Sequence, residues 1–339
     1  MMGEKSNQIL QFPKIELHCH LDGSMEVSRI QKLLAERGEQ EDVEELRRKL
    51  TAPMDCGSLA EYLERFDLPI RCLQTAGGLA AAAYDLAKAA SGEQVKYIEV
   101  RFAPSFHTAE GLSVCEILEA VESGLKRAKE ETGIESGILV CGMRNLPMEQ
   151  NLSMLKQARS LYGQGVVGCD LAGDEKAYPT KNFAEFFEKA KSYQMPFTIH
   201  SGECGSTDNI RVAIELGAKR LGHGIAMAQE PDLMRVCANH RIGVELCPTS
   251  NLQTKAVRSM EDYPFMQFYE AGIPLSVNTD NRTVSNTSCS REFELLADFY
   301  RMEEEQLMDV MHQIYKDSVE MSFADDDTKH RLLKCNRAG

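Results

Sequence analysis

The chain has 339 residues, enough for two ordinary domains or for one α/β barrel. With 43% apolar and 27% charged residues it has the make-up of a folded globular protein, which excludes disordered, collagen-like and coiled-coil architectures. Thirty-eight Lys and Arg against 52 Asp and Glu leave a net charge of −14, a poor basis for holding nucleic acid or anionic lipid and a better match to a neutral or cationic small molecule.

Eight short runs of β-forming residues follow one another along the chain, at 14–20, 95–103, 135–143, 166–172, 196–203, 220–224, 243–247 and 273–280. Between them lie segments of helical spacing, among them 115–131, 182–193, 209–216 and 231–239. Alternation of strand and helix predicts a parallel sheet, and eight units predict its closure into a (β/α)8 barrel. The runs are dense in Ile, Val and Leu, as strands covered on both faces should be. An open, doubly wound sheet would read similarly, but no G-x-G-x-x-G follows the first run. No linker, repeat or low-complexity tract divides the sequence, so a single domain over 1–339 is expected, with extra helices after the last strand.

The segment 21–94, between the first two strands, is out of proportion and almost entirely helical in pattern. Within it Leu59, Tyr62, Leu63 and Phe66 fall at i, i+3, i+4 and i+7, one face of a helix. Such a stripe is either part of the core or an apolar lid, because an insertion after strand one emerges at the catalytic end of a barrel. The charged stretch 39–49 reads as a solvated helix face, and Asp325 to Asp327 as a helix boundary.

Eleven cysteines, an odd number with no C-x-x-C pair, read as buried reduced thiols. The N-terminal MMGEKSNQIL lacks the apolar core of a signal peptide, and the most apolar stretch, 77–84, is far short of the ~20 residues that cross a bilayer. A cytoplasmic location is expected.

The chemistry gathers at the ends of the runs. The first ends in His18-Cys19-His20, whose two imidazoles share a face of an extended strand. The fifth carries His200 and Glu203, the sixth ends at His223 and the eighth at Asp280. A lone histidine at a strand end is usually structural, but this combination supplies N, N, N and O donors from His18, His20, His200 and Asp280. Such a set suits a divalent transition metal, zinc foremost. A water at the open position would then have its pKa lowered toward ~7, and Glu203 and His223 read as proton-transfer partners. Strand four ends Asp170-Leu171-Ala172-Gly173 with no Lys to bridge a second ion, so one metal per chain is expected. The H-x-E…P-C-x-x-C signature of the other zinc deaminase fold is absent.

From about Pro13 to the C-terminal helices the chain resembles the adenosine deaminase family of the amidohydrolase superfamily. The motifs that carry the resemblance are Pro13-Lys14-Ile15-Glu16-Leu17-His18-Cys19-His20-Leu21-Asp22-Gly23, Asp170-Leu171-Ala172-Gly173-Asp174-Glu175, His200-Ser201-Gly202-Glu203, Arg220-Leu221-Gly222-His223-Gly224 and Asn278-Thr279-Asp280. The resemblance implies that His18, His20, His200 and Asp280 ligate zinc and that hydroxide adds to purine C6, releasing ammonia. It implies that Glu203 protonates purine N1, that His223 orients the water and takes its proton with help from Asp280, and that the Gly173 N–H meets purine N3. Asp22 would accept from the ribose 5′-hydroxyl and repel a 5′-phosphate; read without the resemblance, it is a helix N-cap. Asn281 and Arg282 depart from the family's usual Asp and Pro, and an amide at 281 can still donate to N7. The implied substrate is adenosine, with 2′-deoxyadenosine beside it. Adenine, an N6-alkyl adenosine or aminofutalosine stands as the alternative. The implied partner is a small-molecule purine nucleoside, and the oligomeric state is not legible.

Overall fold

A computed structural model of the chain describes residues 2–54 and 56–335; residue 1 and residues 336–339, the ends of the expected domain, lie outside the described residues. All eight runs fold as strands: β1 Lys14–His20, β2 Val95–Phe102, β3 Glu135–Met143, β4 Val166–Ala172, β5 Thr198–Ser201, β6 Arg220–His223, β7 Gly243–Leu246 and β8 Leu275–Val277. Every neighbouring pair is parallel, in the orders β1-β2-β3-β4 and β5-β6-β7-β8. The two halves meet at parallel bridges, Cys169 with Phe197 and Cys19 with Asp280, which close the barrel. The strands are buried almost throughout, as both-face coverage by helices requires.

The second half of the barrel has shorter strands than the sequence predicts, and backbone geometry explains why. Gly202 turns left-handed at φ 80° directly after β5, His223 does so at 64° as the last residue of β6, and Asp280 at 59° three residues beyond β8. The chain leaves the sheet at the positions that carry the candidate chemistry. Left-handed backbone is uncommon for residues with a Cβ and gathers at functional sites.

The connections follow local rules. Ser113 and Glu116 form a reciprocal capping box at the start of the helix Val114–Thr132, and Gly133 ends it at φ 78°. That helix packs on Ala76–Gly92 through Gly124, where a Cβ would stand 2.0 Å from the Ala80 carbonyl. The insertion is indeed helical: Val27–Glu36, Val43–Leu50, Leu59–Leu63, Asp67–Cys72 and Ala76–Gly92. Helices Cys289–Phe299, Glu304–Met321 and Asp326–Cys335 follow β8. The Asp325 carboxylate accepts from the Thr328 N–H at 2.7 Å, so the acidic cluster begins at a helix cap. A further helix, Met2–Gln11, precedes β1; the sequence reading placed no element there. Among the described residues no helix is long and apolar enough to cross a membrane.

Candidate active site

At the carboxyl ends of the strands a cavity of about 450 Å³ opens, within the size range of small-molecule sites. His20, Asp22, Leu59, Leu63, Phe66, Gly173, His200, Glu203, His223, Asp280 and Asn281 all line it. His18, the remaining predicted residue, lies fully buried beneath, with its ring 4.6 Å from that of His200 and 4.8 Å from that of His223.

The donor atoms converge. His18 Nε2 is 3.2 Å from Asp280 Oδ1, and His20 Nε2 is 3.4 Å from the same oxygen. His20 and His200 face each other through their Nε2 atoms at 3.3 Å. Donor atoms of His18, His200, His223 and Asp280 lie within 4.8 Å of one another, a group that holds His223 and three of the four expected ligands, with His20 joined to it by its contacts with Asp280 and His200. Hydrogen bonding at the far nitrogens separates these groups. His18 Nδ1 donates to Glu245 Oε2 at 2.8 Å, whereas His200 Nδ1 lies 2.9 Å from Asp170 Oδ2 as a close charge contact without the alignment of a hydrogen bond. His18 therefore turns an unprotonated Nε2 toward the centre, the carboxylate–histidine arrangement that orients metal ligands, and the Asp170 carboxylate occupies the matching place beside His200. Nε2 of His18 is buried with no hydrogen-bond partner, an orphan that a cation would satisfy. At His223 the relation is reversed: Asn251 Nδ2 donates to its Nδ1 at 3.0 Å, so the proton resides on Nε2, which points at Glu203 Oε2, 3.6 Å away.

A layer of buried charge supports this arrangement. Arg101 donates to Asp170 at 2.8 Å and to Glu245 at 2.8 Å, and Arg220 donates to Glu245 at 2.6 Å. Burial opposes ionisation of Asp170 and Glu245, but the imidazoles and guanidiniums beside them hold both carboxyls far below the usual range. Burial pulls His18 and His20 down. It acts on His200 too, but the Asp170 carboxylate overrides it and raises that ring. Asp280 is held well below the carboxylate range by the surrounding imidazoles despite its burial, and its second oxygen accepts from Ser250 at 2.6 Å. Glu203 moves the other way: burial raises its carboxyl, against the pull of His223 and with Asp280 reinforcing. Two carboxylates of one pocket are thus driven apart, which is how an acid and a base are assigned.

The remaining predicted residues also have definite settings. Asp22 opens a 3-10 turn, Asp22–Ser24, and caps no helix beyond it, since the next one starts after Glu26. Burial pushes its carboxyl up to about 6. Gly173 sits at φ 105°, a conformation that favours glycine. Leu59 and Phe66 pack with Tyr62, Cys56, Ala52 and Val284 in a small cluster separate from the barrel core. Leu63 is 38% exposed. The apolar stripe is therefore not part of the main core.

The sequence reading missed Glu245, Asn251 and Thr254, named Tyr62 only as one position of the apolar stripe, and quoted Asp170 without giving it a task. Glu99, Arg101 and Glu245 interrupt apolar strands, and a charge in a strand covered on both faces was the available signal. Asn251 and Thr254 lie in and just after the short helix Pro248–Gln253 and have no such mark; Thr254 Oγ1 donates to Glu203 Oε1 at 3.0 Å.

The adenosine deaminase family model matches residues 13–335. A curated adenosine deaminase from Enterococcus faecalis is 42% identical over 331 residues, covering 97% of either chain. Among solved structures, an adenine deaminase from Arthrobacter aurescens superposes with a TM-score of 0.88 at 23% identity, over 96% of this chain and 98% of that one. The N6-mAMP deaminase of Arabidopsis does so with 0.87 at 26% identity, over 98% of this chain and 100% of the other.

Proposed function

The chain belongs to the adenosine deaminase family, and we propose that it removes the 6-amino group of adenosine, and of 2′-deoxyadenosine, by hydrolysis to the 6-oxo nucleoside and ammonia. One observation carries the reading: a metal-ready cluster of imidazoles and a carboxylate shares a cavity wall with a buried carboxyl, Glu203, that burial holds toward its protonated form.

In this reading His18, His20, His200 and Asp280 hold the ion. The donor set, imidazole-rich with one carboxylate and no thiolate, fits zinc, and the orphaned His18 Nε2 fits any such cation. A bound zinc ion supplies a nucleophilic water near neutral pH. The chain's own residues do the rest. Glu203 delivers its proton to purine N1, making C6 electrophilic. His223, with its proton fixed on Nε2 by Asn251, orients the attacking oxygen but in this tautomer does not take its proton as the resemblance implies. Asp280, held ionised, accepts a proton through its free lone pairs. The Gly173 N–H meets purine N3, and the Asn281 amide donates to N7. Asp22 accepts from the 5′-hydroxyl, and its charge disfavours a 5′-phosphate. Leu59, Leu63 and Phe66 cover the purine and keep water out.

Residues 1–339 are read as one barrel domain, cytoplasmic, with one zinc ion per chain. The test is turnover of purified protein, followed by ultraviolet absorbance, with adenosine, adenine and an N6-methyl adenosine alongside metal analysis. Adenosine is the substrate consumed fastest; no absorbance change with adenosine overturns the reading.

A further inference from the structure

We propose that Tyr62 is a positioning residue that fixes the orientation of the Asn281 amide, and so links the apolar lid to recognition of the purine five-membered ring. The proposal rests on the reading above that Asn281 donates to N7.

The Asn281 side chain is clamped from two sides. On one side its Oδ1 lies against Gly23: a Cβ at that position would stand 1.8 Å from Oδ1 and 2.6 Å from Cγ. On the other side its Nδ2 donates to the Tyr62 hydroxyl at 3.0 Å. That hydroxyl is 2.7 Å from Ser285 Oγ, a contact in which either oxygen can donate; in the proposed arrangement Tyr62 gives its proton to Ser285 and keeps its lone pairs for the amide. Ser285 is tied back in turn, because its N–H donates to the Asn281 carbonyl at 2.8 Å. Asn281 Oδ1 itself is buried with no hydrogen-bond partner.

An amide has one accepting and one donating end of nearly equal shape, and nothing steric tells them apart. Gly23 offers Oδ1 no donor, so a Tyr62 hydroxyl whose proton is committed to Ser285 is what selects the orientation. With Nδ2 held toward Tyr62, its second N–H has no partner among the described residues and is available to a ligand acceptor. Without the hydroxyl, the amide can turn and present Oδ1 to N7, two acceptors face to face. An aspartate at 281 would need to be protonated to donate; an asparagine needs to be aimed. Tyr62 belongs to the short helix Leu59–Leu63, so the same side chain that fills the lid cluster sets the aim.

Tyr62→Phe keeps the ring and removes the hydroxyl. The measurement is the inhibition constant for inosine against that for 7-deazainosine, which has C–H in place of N7; neither is turned over, so ring electronics do not affect a chemical step. In the unaltered protein inosine binds better, by a factor of about three to ten if one hydrogen bond is at stake. Tyr62→Phe is expected to reduce that preference to about two or less, with a melting temperature close to the parent. Ser285→Ala, which retains the whole tyrosine, is the second variant and is expected to reduce the preference in part. Asn281→Ala separates the two layers of the argument. If it abolishes the preference while Tyr62→Phe and Ser285→Ala leave it intact, Tyr62 does not aim the amide. If Asn281→Ala leaves the preference unaltered, the N7 reading fails and the role of Tyr62 falls with it.

Discussion

Asn251 donates its side-chain amide to Nδ1 of His223 across 3.0 Å, while the Tyr263 hydroxyl reaches the other end of that amide at 3.5 Å. The amide thereby dictates which nitrogen of His223 bears the proton, and distinguishes it from His18 and His200, whose Nδ1 atoms face carboxylates. Asn251→Asp is isosteric but would accept from Nδ1–H and reverse the tautomer. It is expected to lower kcat by roughly 10² or more, as wrong-tautomer substitutions do elsewhere, with metal content unchanged. Steady-state kinetics with metal analysis decides; parental turnover would remove the tautomer argument.

Glu203→Gln keeps the shape of the side chain, and one amide N–H can still meet N1, but no proton can be transferred. Turnover is expected to fall by a factor on the order of 10² or more, while the ion stays bound because Glu203 is not among the proposed ligands. Near-normal rates would strip Glu203 of its role.

Asp280 sits at φ 59°, where alanine would be strained and asparagine is tolerated. Asp280→Asn is therefore the cleaner variant. Metal content and activity are expected to drop together, and the melting temperature of the metal-free proteins to agree within a few degrees. Full occupancy with parental kinetics would show that the ligand set is wrong.

Phe66 is half-buried and belongs to the satellite cluster under the lid, not to the barrel core. Phe66→Ala should raise KM for adenosine severalfold with a small shift in melting temperature. The reverse pattern, a large loss of stability at constant KM, would return the stripe to a packing role.

Glu292 is fully buried, accepts from the Thr249 N–H and the Thr287 hydroxyl, and burial pushes its carboxyl up to about 7. A raised folded-state value means no penalty below the unfolded value of 4.5, where both states are protonated. Between 4.5 and about 7 the unfolded chain ionises first, so this group costs stability as pH rises. Glu292→Gln should remove that slope: denaturant titrations from pH 5 to 8 should show the variant gaining on the parent by up to about 3 kcal/mol. Parallel curves would refute the assignment.

Much of this molecule is legible in one dimension because strand and helix alternate with clear punctuation. Six of the eight strands start where their runs start, β5 and β8 start two residues later, and the helical segment expected at 115–131 is found at Val114–Thr132. Residues whose tasks depend only on standing at a strand end, such as His18, His200 and Asp280, are visible for the same reason. Residues whose tasks depend on meeting a partner across the barrel are not: Glu245 and His18, Asn251 and His223, and Tyr62 and Asn281 are each more than 25 positions apart. Strand ends were the other weak point, because the left-handed turns at His223 and Asp280 fall on residue types that favour such backbone only weakly compared with glycine.

The closing bridge of the barrel, Cys19 against Asp280, brings the His20 N–H to the Asp280 carbonyl at 2.7 Å and the Asp280 N–H to the His18 carbonyl at 2.9 Å. The final stitch of the fold and the assembly of the reactive centre are thus a single event. A ribosome-bound chain that has not yet released its eighth strand has all four site histidines but lacks Asp280 and the closing bridge, so its cluster is incomplete. Stalled nascent chains ending before residue 280 should hold zinc more weakly than chains extended through the C-terminal helices.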